Sequence, residues 1–361
     1  MNTHSLGIAI LAAGHGTRMR SGRAKVLHRI GAEPMIRHVV RTAAALAPGA
    51  PIAVVIAPGM DAVRAALADL PVVCTEQPVP RGTGDAVRYA LSALPPVTDV
   101  LVLFGDVPLI TADALAPLFG LPPGIGLLTA QLDDPTGYGR VMRGADGTVM
   151  GIVEQADATT RQSAVREVNT GVMRLPAGPL ADWLALIEPH NAQAECYLTD
   201  VIALARSEGV AIHAHVTPDA RVTAGVNDRA QLAAAERMFQ ARQADTLMRA
   251  GLGLRDPARF DLRGTLSHGR DVEIDVGCVL EGTVTLHDDV TVGPHCVLRD
   301  VELGPGTQVL AHSHLEGVRA GPHCRIGPYA RLRPGTVLAD TVHVGNFVEV
   351  KASELDTGAK A

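Results

Sequence analysis

Two short segments carry residue types that could do chemistry on a phosphate. The first runs from Gly14 to Met19, follows an apolar run and precedes Lys25. Its glycines let backbone N–H groups face an anion without a Cβ in the way, and Arg18 and Lys25 supply the positive charge that a polyphosphate needs. Glycine spacing alone is equally consistent with ligand binding and with a plain tight turn. The two cationic side chains favour ligand binding.

The second segment, Leu103 to Pro108, contains Asp106 at the end of another apolar run. A carboxylate at the carboxyl end of a parallel strand, across the sheet from a phosphate loop, is well placed to hold a hard cation against phosphate oxygens. Asp106 could equally be a helix cap or a turn residue before Pro108. In combination with the glycine-containing loop, a metal site is favoured.

The elements that must hold these segments are short aliphatic runs separated by helical stretches. Such alternation is typical of a mostly parallel sheet covered on both faces, so the fold class is α/β, with a Rossmann-like first domain over residues 1–227. Ligands bind these sheets at the carboxyl ends of the strands, which selects the loops after Ala13 and Phe104. The sequence predicts strands at residues 6–13, 51–57, 99–104 and 124–130, and helices at 34–46, 60–70 and 84–94.

A charged, alanine-rich run follows this domain and predicts one linker helix over residues 228–251, about 30 Å long at about 1.5 Å per residue. Beyond residue 270 an aliphatic residue leads each six-residue block, and a small or β-branched residue follows most of these lead residues four places later. The series skips one place before Leu303 and again before Ala320. This rule predicts that residues 252–361 are the N-terminal part of a parallel β-helix, left-handed in the hexapeptide class, with glycine or asparagine at its tight corners. The lead positions are Ile274, Leu280, Leu286, Val292, Leu298, Leu303, Val309, Leu315, Ala320, Ile326, Leu332, Leu338, Val344 and Val350.

Composition excludes several other classes. The 361 residues include 32 Lys and Arg against 38 Asp and Glu, a net charge of −6, so binding to nucleic acid through bulk charge is not expected. Five cysteines without a CxxC pair argue against a disulfide framework or a zinc ribbon. The longest apolar run, Leu6 to Ala13, is too short to span a bilayer, and the residues before it lack the positive charge of a secretory signal. We therefore expect a cytoplasmic protein with no membrane partner.

The loop pattern LxxGxGTRM, the lysine after it and the strand-terminal GDxP resemble those of the sugar-nucleotide pyrophosphorylases. With the hexad half added, essentially the whole chain is similar to the bacterial bifunctional N-acetylglucosamine-1-phosphate uridylyltransferase/glucosamine-1-phosphate acetyltransferase family. Further matching segments are Gln77 with Gly82 to Gly84, Asp133 to Arg140, Gly151 to Glu154, Glu167 to Gly171, Tyr197 to Asp200, Gly225 to Asn227 and Arg255 to Thr265.

This resemblance implies an enzyme that transfers UMP from UTP to N-acetylglucosamine 1-phosphate, giving UDP-N-acetylglucosamine and pyrophosphate for peptidoglycan and lipopolysaccharide synthesis. It implies Mg²⁺ as the cofactor, bound by Asp106 and Asn227, and catalytic roles for Arg18, Lys25 and Asp106. The substrate, UTP or UDP-N-acetylglucosamine, is implied to contact Leu11, Ala12, Ala13, Gly14, Lys25, Gln77, Gly82, Thr83, Phe104, Gly105, Asp106 and Asn227. Of these, Leu11 to Gly14, Gln77, Gly82 and Thr83 are implied to hold the uridine nucleotide, and Lys25 is implied to lie with Arg18 around the phosphates. The N-acetylglucosamine part is implied to contact Gly139, Glu154 and Asn169.

Two residues depart from the family pattern. Phe104 stands where the family often has tyrosine, and Cys196 replaces an aromatic residue before Tyr197. In the β-helix half, Arg333 and Lys351 match residues that bind the sugar phosphate of the acetyltransferase reaction, although by themselves they could be solvated corner charges. The resemblance also implies a homotrimer assembled through this half.

The chain ends at Ala361, before the family's catalytic histidine and coenzyme A site, so acetyltransferase activity is not expected of it although a full-length family member would have it. Two alternatives stand beside the main interpretation. One is a sugar-1-phosphate nucleotidyltransferase of the ADP-glucose or dTDP-glucose type. The other is a non-catalytic nucleotidyltransferase-like binding subunit, although such proteins tend to lose the catalytic charges that this chain keeps.

Overall fold

The computed structural model describes residues 5–14, 16–189 and 194–361. The chain divides into two units, the first comprising Met1–His28 and Glu33–Leu232, the second comprising Arg29–Ala32 and Ala233–Ala361. The domain bounds expected from the sequence, at residues 227 and 251, stay predictions. None of the helices in the described ranges is long and apolar enough to cross a bilayer.

The α-helices of the described residues are α1 Met35–Leu46, α2 Asp61–Ala66, α3 Thr83–Ala93, α4 Ala112–Leu115, α5 Thr160–Ser163, α6 Ala177–Leu186, α7 Val201–Ser207 and α8 Arg229–Arg249. The 3₁₀ helices are Thr17–Met19, Lys25–Leu27, Ala116–Phe119, Leu198–Asp200, Ala220–Thr223 and Pro257–Arg259. The strands up to residue 232 are β1 Leu6–Leu11, β2 Arg29–Ile30, β3 Glu33–Pro34, β4 Ile52–Ile56, β5 Val73–Glu76, β6 Asp99–Phe104, β7 Ile125–Gln131, β8 Arg140–Arg143, β9 Val149–Val153, β10 Glu167–Pro176 and β11 Ile212–Val216.

The first unit is built on a sheet with strand order β11-β7-β10-β6-β1-β4-β5, and β8 and β9 extend from β10. Among the described strands of this sheet, only β10 and the β8–β9 pair run antiparallel to their neighbours, so the prediction of a mostly parallel sheet is confirmed. Alternate residues of β1 enter opposite cores, because side chains of a strand alternate between its faces: Ile8 packs with α1, and Ala9 packs with α3 and α6. Helices therefore cover both faces.

The register of β1 against β6 sets the position of the site. Leu11 lies opposite Phe104 in this parallel pair, so both strands end at the same edge of the sheet. The loop that begins at Ala12 and the turn that contains Asp106 consequently leave the sheet side by side. This is the edge that the sequence selects.

The second unit is a parallel β-helix, preceded by the greater part of α8. Its strands are β12 Gly253–Leu254, β13 Asp261–His268, β14 Glu273–Ile274, β15 Val279–Leu286, β16 Thr291–Val292, β17 Val297–Leu303, β18 Gln308–Val309, β19 His314–Glu316, β20 Val318–Ala320, β21 Arg325–Ile326, β22 Arg331–Leu332, β23 Thr336–Leu338, β24 His343–Val344, β25 Glu349–Val350 and β26 Glu354–Leu355. One sheet has the order β12-β14-β16-β18-β21-β24, and the other runs from β13 through β15 and β17 to the strands that follow. Coils of 17 or 18 residues separate paired strands, which explains why the six-residue series skips a place.

All fourteen lead positions of the hexads are buried, as the period predicts. The expectation of glycine or asparagine at the tight corners is wrong in part. Many corners with positive φ carry other residues, among them Asp289 (φ 61°), His312 (φ 60°) and Phe347 (φ 60°). Several glycines after lead residues serve a different purpose: a Cβ on Gly304 would lie 2.6 Å from the backbone carbon of Gly321 in the next coil.

The first coil of the β-helix has its backbone edge covered by α8. The side chain of Gln240, 1% exposed, donates from Nε2 to the carbonyl of Leu262 (3.0 Å) and accepts from its N–H (2.9 Å). These bonds satisfy backbone groups that an exposed strand edge would leave unpaired. The linker helix, predicted over residues 228–251, therefore also forms the cap of the second unit.

Candidate active site

The loop after β1 is shaped by a close backbone approach at Gly16. Gly16 has a φ of +62°, and a Cβ there would lie 2.5 Å from the Cβ of Lys25, so no side chain fits. The loop then forms the 3₁₀ turn Thr17–Met19, which carries Arg18, and the turn Lys25–Leu27, which carries Lys25. The two cations predicted to meet phosphates are thus held on two short, separate turns.

At the end of β6, Lys25 meets both predicted metal ligands. Its Nζ forms an ion pair with the carboxylate of Asp106 and lies 3.1 Å from Oδ1 of Asn227. Val226 donates its N–H to the carbonyl of Asp106 (2.8 Å), which fixes the chain before Asn227 against the turn after β6. The three side chains therefore converge on one point beside the glycine-containing loop.

This cluster suits a divalent cation. A carboxylate oxygen and an amide oxygen already share one positively charged group, the ammonium of Lys25, and oxygen ligands of this kind are those that Mg²⁺ prefers. No group of three or more His, Cys, Asp or Glu side chains able to hold a metal occurs among the described residues. Two protein ligands are nevertheless the number expected where substrate phosphates complete the coordination of Mg²⁺.

Two cavities meet at this cluster and share Phe104 and Asp106 in their walls. The first has a volume of about 230 Å³. The predicted residues that line it are Leu11, Ala12, Ala13, Gly14, Lys25, Gln77, Gly82, Thr83, Phe104 and Asp106. The second, of about 260 Å³, is lined by Arg18 and Asn227 among other residues.

Part of the wall of the first cavity is a hydrogen-bonded turn that contains Gln77, Gly82 and Thr83. Gln77 is 4% exposed, and its Nε2 donates to the carbonyl of Gly82 (3.1 Å) and to Asp85 (2.9 Å). Gly82 has a φ of +106°, and a Cβ there would lie 2.5 Å from the carbonyl oxygen of Cys196. The hydroxyl of Thr83 accepts the N–H of Leu198 (3.0 Å). Backbone contacts thus position Cys196, and its side chain is only half-buried.

The residues expected at the sugar form a second cluster, near β8, β9 and β10. Asn169 donates its N–H to the carbonyl of Gly139 (2.8 Å), and its Oδ1 accepts from Gly171 (3.0 Å). Glu154 accepts the hydroxyl of Thr199 (3.0 Å), and its carboxylate lies where a Cβ on Gly139 would crowd it. Burial raises the pKa of Glu154, and nearby Asp200 adds to the effect. These three residues are not among those that line the two cavities.

Phe104 lines both cavities and packs on Gly171, whose N–H donates to Asn169 of the sugar cluster. A Cβ on Gly171, whose φ is +84°, would lie 2.5 Å from the ring, so the ring packs directly on this backbone. Gly105 is buried behind it and donates its N–H to the carbonyl of Leu11 (2.9 Å). The turn before Asp106 is therefore kept although the tyrosine hydroxyl is absent.

In the second unit, Arg333 and Lys351 occupy the same register on neighbouring coils, because Leu332 pairs with Val350. Below them the column alternates in charge through Arg263, Glu281, Arg299 and Glu316. Arg333 contacts Glu349 (3.2 Å) to one side. The alternation of charge ends at Arg333 and Lys351, which are adjacent in this column and both positive.

Sequence reasoning missed several residues of the site. Tyr138 and Gln231 line the second cavity, and Thr199 holds Glu154. Tyr138 and Thr199 lie inside segments that matched the pyrophosphorylase pattern, which was the available signal. No pattern marks Gln231, whose Oε1 accepts the N–H of Asn227 (2.7 Å), since it belongs to the first turn of a long polar helix.

The fold and this site together define a nucleotidyltransferase. A family model described as the MobA-like NTP transferase domain matches residues 8–124. A solved chain described as a glucose-1-phosphate thymidylyltransferase from Bacillus anthracis superposes with a TM-score of 0.52 at 17% identity, covering 65% of this chain and 95% of its own. At that identity it is evidence for the fold alone.

Relatives of much higher identity cover nearly the whole chain. The bifunctional protein GlmU of Alkalilimnicola ehrlichii is 54% identical over 99% of this chain and 77% of its own length. The GlmU protein of Chromobacterium violaceum is 52% identical over 99% of this chain and 78% of its own length. The chain belongs to the family of bifunctional GlmU proteins. It is a nucleotidyltransferase with UDP-N-acetylglucosamine pyrophosphorylase activity, which is favoured over the ADP-glucose and dTDP-glucose alternatives and over a non-catalytic subunit.

Proposed function

We propose that the two cavities and the sugar cluster hold UTP and N-acetylglucosamine 1-phosphate for one in-line displacement. A phosphate oxygen of the sugar phosphate forms a bond to the α-phosphorus of UTP, and the bond from that phosphorus to the bridging oxygen breaks. Pyrophosphate leaves with the electron pair. The nucleophile is already an anion, so no general base is needed. The barrier comes from bringing two anions together, and positioning and charge neutralisation lower it.

One observation carries this proposal: Asp106, Asn227 and Lys25 converge beside the glycine-containing loop, at the shared end of β1 and β6. Asp106 and Asn227 would hold Mg²⁺. When bound, the ion supplies positive charge to the phosphate oxygens and orients them. Lys25 and Arg18 neutralise the phosphates from the two cavities, Arg18 most strongly where pyrophosphate accumulates charge.

The part of the first cavity that is lined by Gln77 suits a pyrimidine with a hydrogen at N3. The Nε2 of Gln77 is occupied by Gly82 and Asp85, whereas its Oε1 accepts no hydrogen bond among the described residues. That oxygen would accept N3–H of uracil, and cytosine lacks this hydrogen. Gly139, Glu154 and Asn169 supply a backbone carbonyl, a carboxylate and an amide, which suit the hydroxyl and acetamido groups of the sugar.

The test is UTP-dependent release of pyrophosphate with N-acetylglucosamine 1-phosphate, with and without Mg²⁺. Asp106→Asn keeps the side-chain shape and removes the charge, so we expect turnover to fall at least about a hundredfold. Asp113→Asn, a change of the same type at an exposed residue in the first turn of α4, is the matched control. Wild-type turnover by Asp106→Asn, or metal-independent turnover by the unaltered enzyme, would contradict the proposal.

For the second unit we propose that Arg333 and Lys351 bind a sugar phosphate. The support is the break in charge alternation: Lys351 follows Arg333 in the column, and two adjacent cations attract an anion even though Glu349 pairs with Arg333. A homotrimer and a cytoplasmic location are further proposals that follow from the family. Sedimentation measurements test the first of these, and cell fractionation tests the second.

A further inference from the structure

The first turn of α8 reaches back into the loop after β1. Arg229 lies two positions beyond the metal-ligand candidate Asn227 and donates from Nε to the carbonyl of Met19 (3.3 Å). Its Nη1 lies 3.3 Å from Nδ1 of His28. Met19 follows Arg18 directly, and His28 ends the turn that begins at Lys25. One guanidinium therefore contacts both turns that carry the phosphate-binding cations.

The groups that Arg229 holds are buried, although Arg229 itself is exposed. Met19 is 1% exposed and His28 is 5% exposed. His28 can accept at Nδ1 only as a neutral ring with its hydrogen on Nε2, and this Nε2 is buried without a partner among the described residues. Burial, with Arg229 and Arg23 nearby, lowers the pKa of His28, which agrees with a neutral ring.

The same helical turn also holds the metal-ligand candidate. Gln231 accepts the N–H of Asn227 (2.7 Å), and its own N–H donates to Asp228 (2.8 Å). Asn227 and Arg229 thus belong to one short turn that is held together by hydrogen bonds to Gln231. A displacement of this turn would move Asn227, Arg18 and Lys25 relative to one another.

We propose that Arg229 is a positioning residue for uridylyl transfer. By bridging Met19 and His28, it holds the turns that carry Arg18 and Lys25 in a fixed position relative to Asn227. The inference rests on the proposed roles of those three residues. Among the described residues, Arg229 bonds to Met19 and His28 and makes no hydrogen bond to Asp106 or Asn227. Its contribution is geometric, and a displacement of about 1 Å in a catalytic group can cost on the order of a hundredfold in rate.

The experiment measures kcat and KM for UTP in the full chain, well below each variant's melting temperature. Arg229→Gln removes the positive charge and the two guanidinium nitrogens that contact Met19 and His28. We expect kcat to fall about tenfold to a hundredfold with a smaller change in KM. Arg229→Lys keeps the charge but offers a single nitrogen, so it should recover only part of the loss. The matched control is Arg41→Gln, an exposed arginine of α1 that pairs with Glu33.

His28 variants separate positioning from general stability. His28→Asn keeps an acceptor near the position of Nδ1 and should retain most of kcat, whereas His28→Ala should lose it. The double variant Arg229→Gln/His28→Ala should be no slower than the slower single variant, because His28→Ala removes a contact that Arg229→Gln has already removed. Affinity for Mn²⁺ without nucleotide should weaken in Arg229→Gln, a readout independent of turnover.

Three results would overturn the inference. They are wild-type kcat in Arg229→Lys, kcat of His28→Ala within twofold of wild type, and additive losses in the double variant. If Arg229→Gln does not fold, the variants Arg229→Lys, His28→Asn and His28→Ala still test the inference. A failure of the proposed function is distinguishable, since the unaltered enzyme would then release no pyrophosphate from UTP and N-acetylglucosamine 1-phosphate.

Discussion

Replacing Lys25 by methionine should tighten metal binding to the nucleotide-free enzyme. In the structure the ammonium of Lys25 donates hydrogen bonds to one oxygen of Asp106 and one of Asn227, and these are the two oxygens that we propose hold Mg²⁺. A metal ion must therefore displace the ammonium before it can use both oxygens. Methionine fills a similar volume without the charge, and it leaves the carboxylate of Asp106 available.

The magnitude follows from the bonds that the metal ion must break. The side chains of Lys25 and Asp106 are 11% and 20% exposed, so water screens their attraction only in part. A hydrogen bond to a charged group contributes about 1.5–3 kcal/mol, and each 1.4 kcal/mol is a factor of ten in affinity. We expect the dissociation constant for Mn²⁺ to fall by roughly tenfold to a hundredfold in Lys25→Met. Turnover should fall at the same time, because the phosphates lose a cation.

The assay is a titration of Mn²⁺ followed by the electron paramagnetic resonance of the free ion, without nucleotide. Arg18→Met is the control, because Arg18 lines the second cavity but has no described bond to Asp106 or Asn227. Loss of a general repulsive field would tighten Mn²⁺ binding equally in both variants. An unchanged or weaker affinity in Lys25→Met, or equal changes in the two variants, would refute the reasoning.

Three further predictions concern single contacts. Gly82→Ala should raise KM for UTP, because the added Cβ meets the carbonyl of Cys196 at 2.5 Å with φ at +106°; Gly178→Ala, where nothing lies within 4 Å, is the control in the same kinetic assay. Glu154→Gln should raise the melting temperature at pH 8 but not at pH 4. Because burial raises the folded-state pKa of Glu154, the stability that its protonated form provides is lost as pH rises through that pKa, and glutamine never ionises. Gln240→Ala should lower the free energy of unfolding by about 1–3 kcal/mol, measured in urea, because the buried N–H of Leu262 loses its acceptor and its carbonyl keeps only the bond from Gln243. A loss no larger than that of Gln243→Ala, which removes the bonds to the Leu262 carbonyl and to Oε1 of Gln240, would contradict this.

The periods of the sequence were sufficient for most of the fold. Continuous aliphatic runs between helices predicted the parallel sheet, and the loops after Ala13 and Phe104 indeed leave one edge. The six-residue rule predicted every buried lead position of the β-helix. These features are local, since the period of a strand or coil determines which side chains face inward wherever the element packs. Helix length is not encoded in this way: the sequence predicts a helix over residues 60–70, whereas α2 covers only Asp61–Ala66.

Resemblance supplied the residues of the candidate site, and the residues alone supplied only Arg18, Lys25 and Asp106 with open alternatives. The corners of the β-helix were not predictable from glycine. At three corners, the rings of His295, His312 and Tyr329 stack with centroids 5.1 and 4.9 Å apart, so contacts between coils help to hold conformations that sequence rules reserve for glycine.

Only the tertiary structure determined which side chains meet. Lys25 contacts Asp106 and Asn227 across 81 and 202 positions of sequence, and Arg229 contacts Met19 across 210. No local period encodes such distances, because they depend on how the sheet order, the strand register and the first turn of α8 combine. The sequence by itself therefore determined which elements form and which charges the loops carry. Packing decided that one lysine bridges two oxygens and that one arginine bridges two turns.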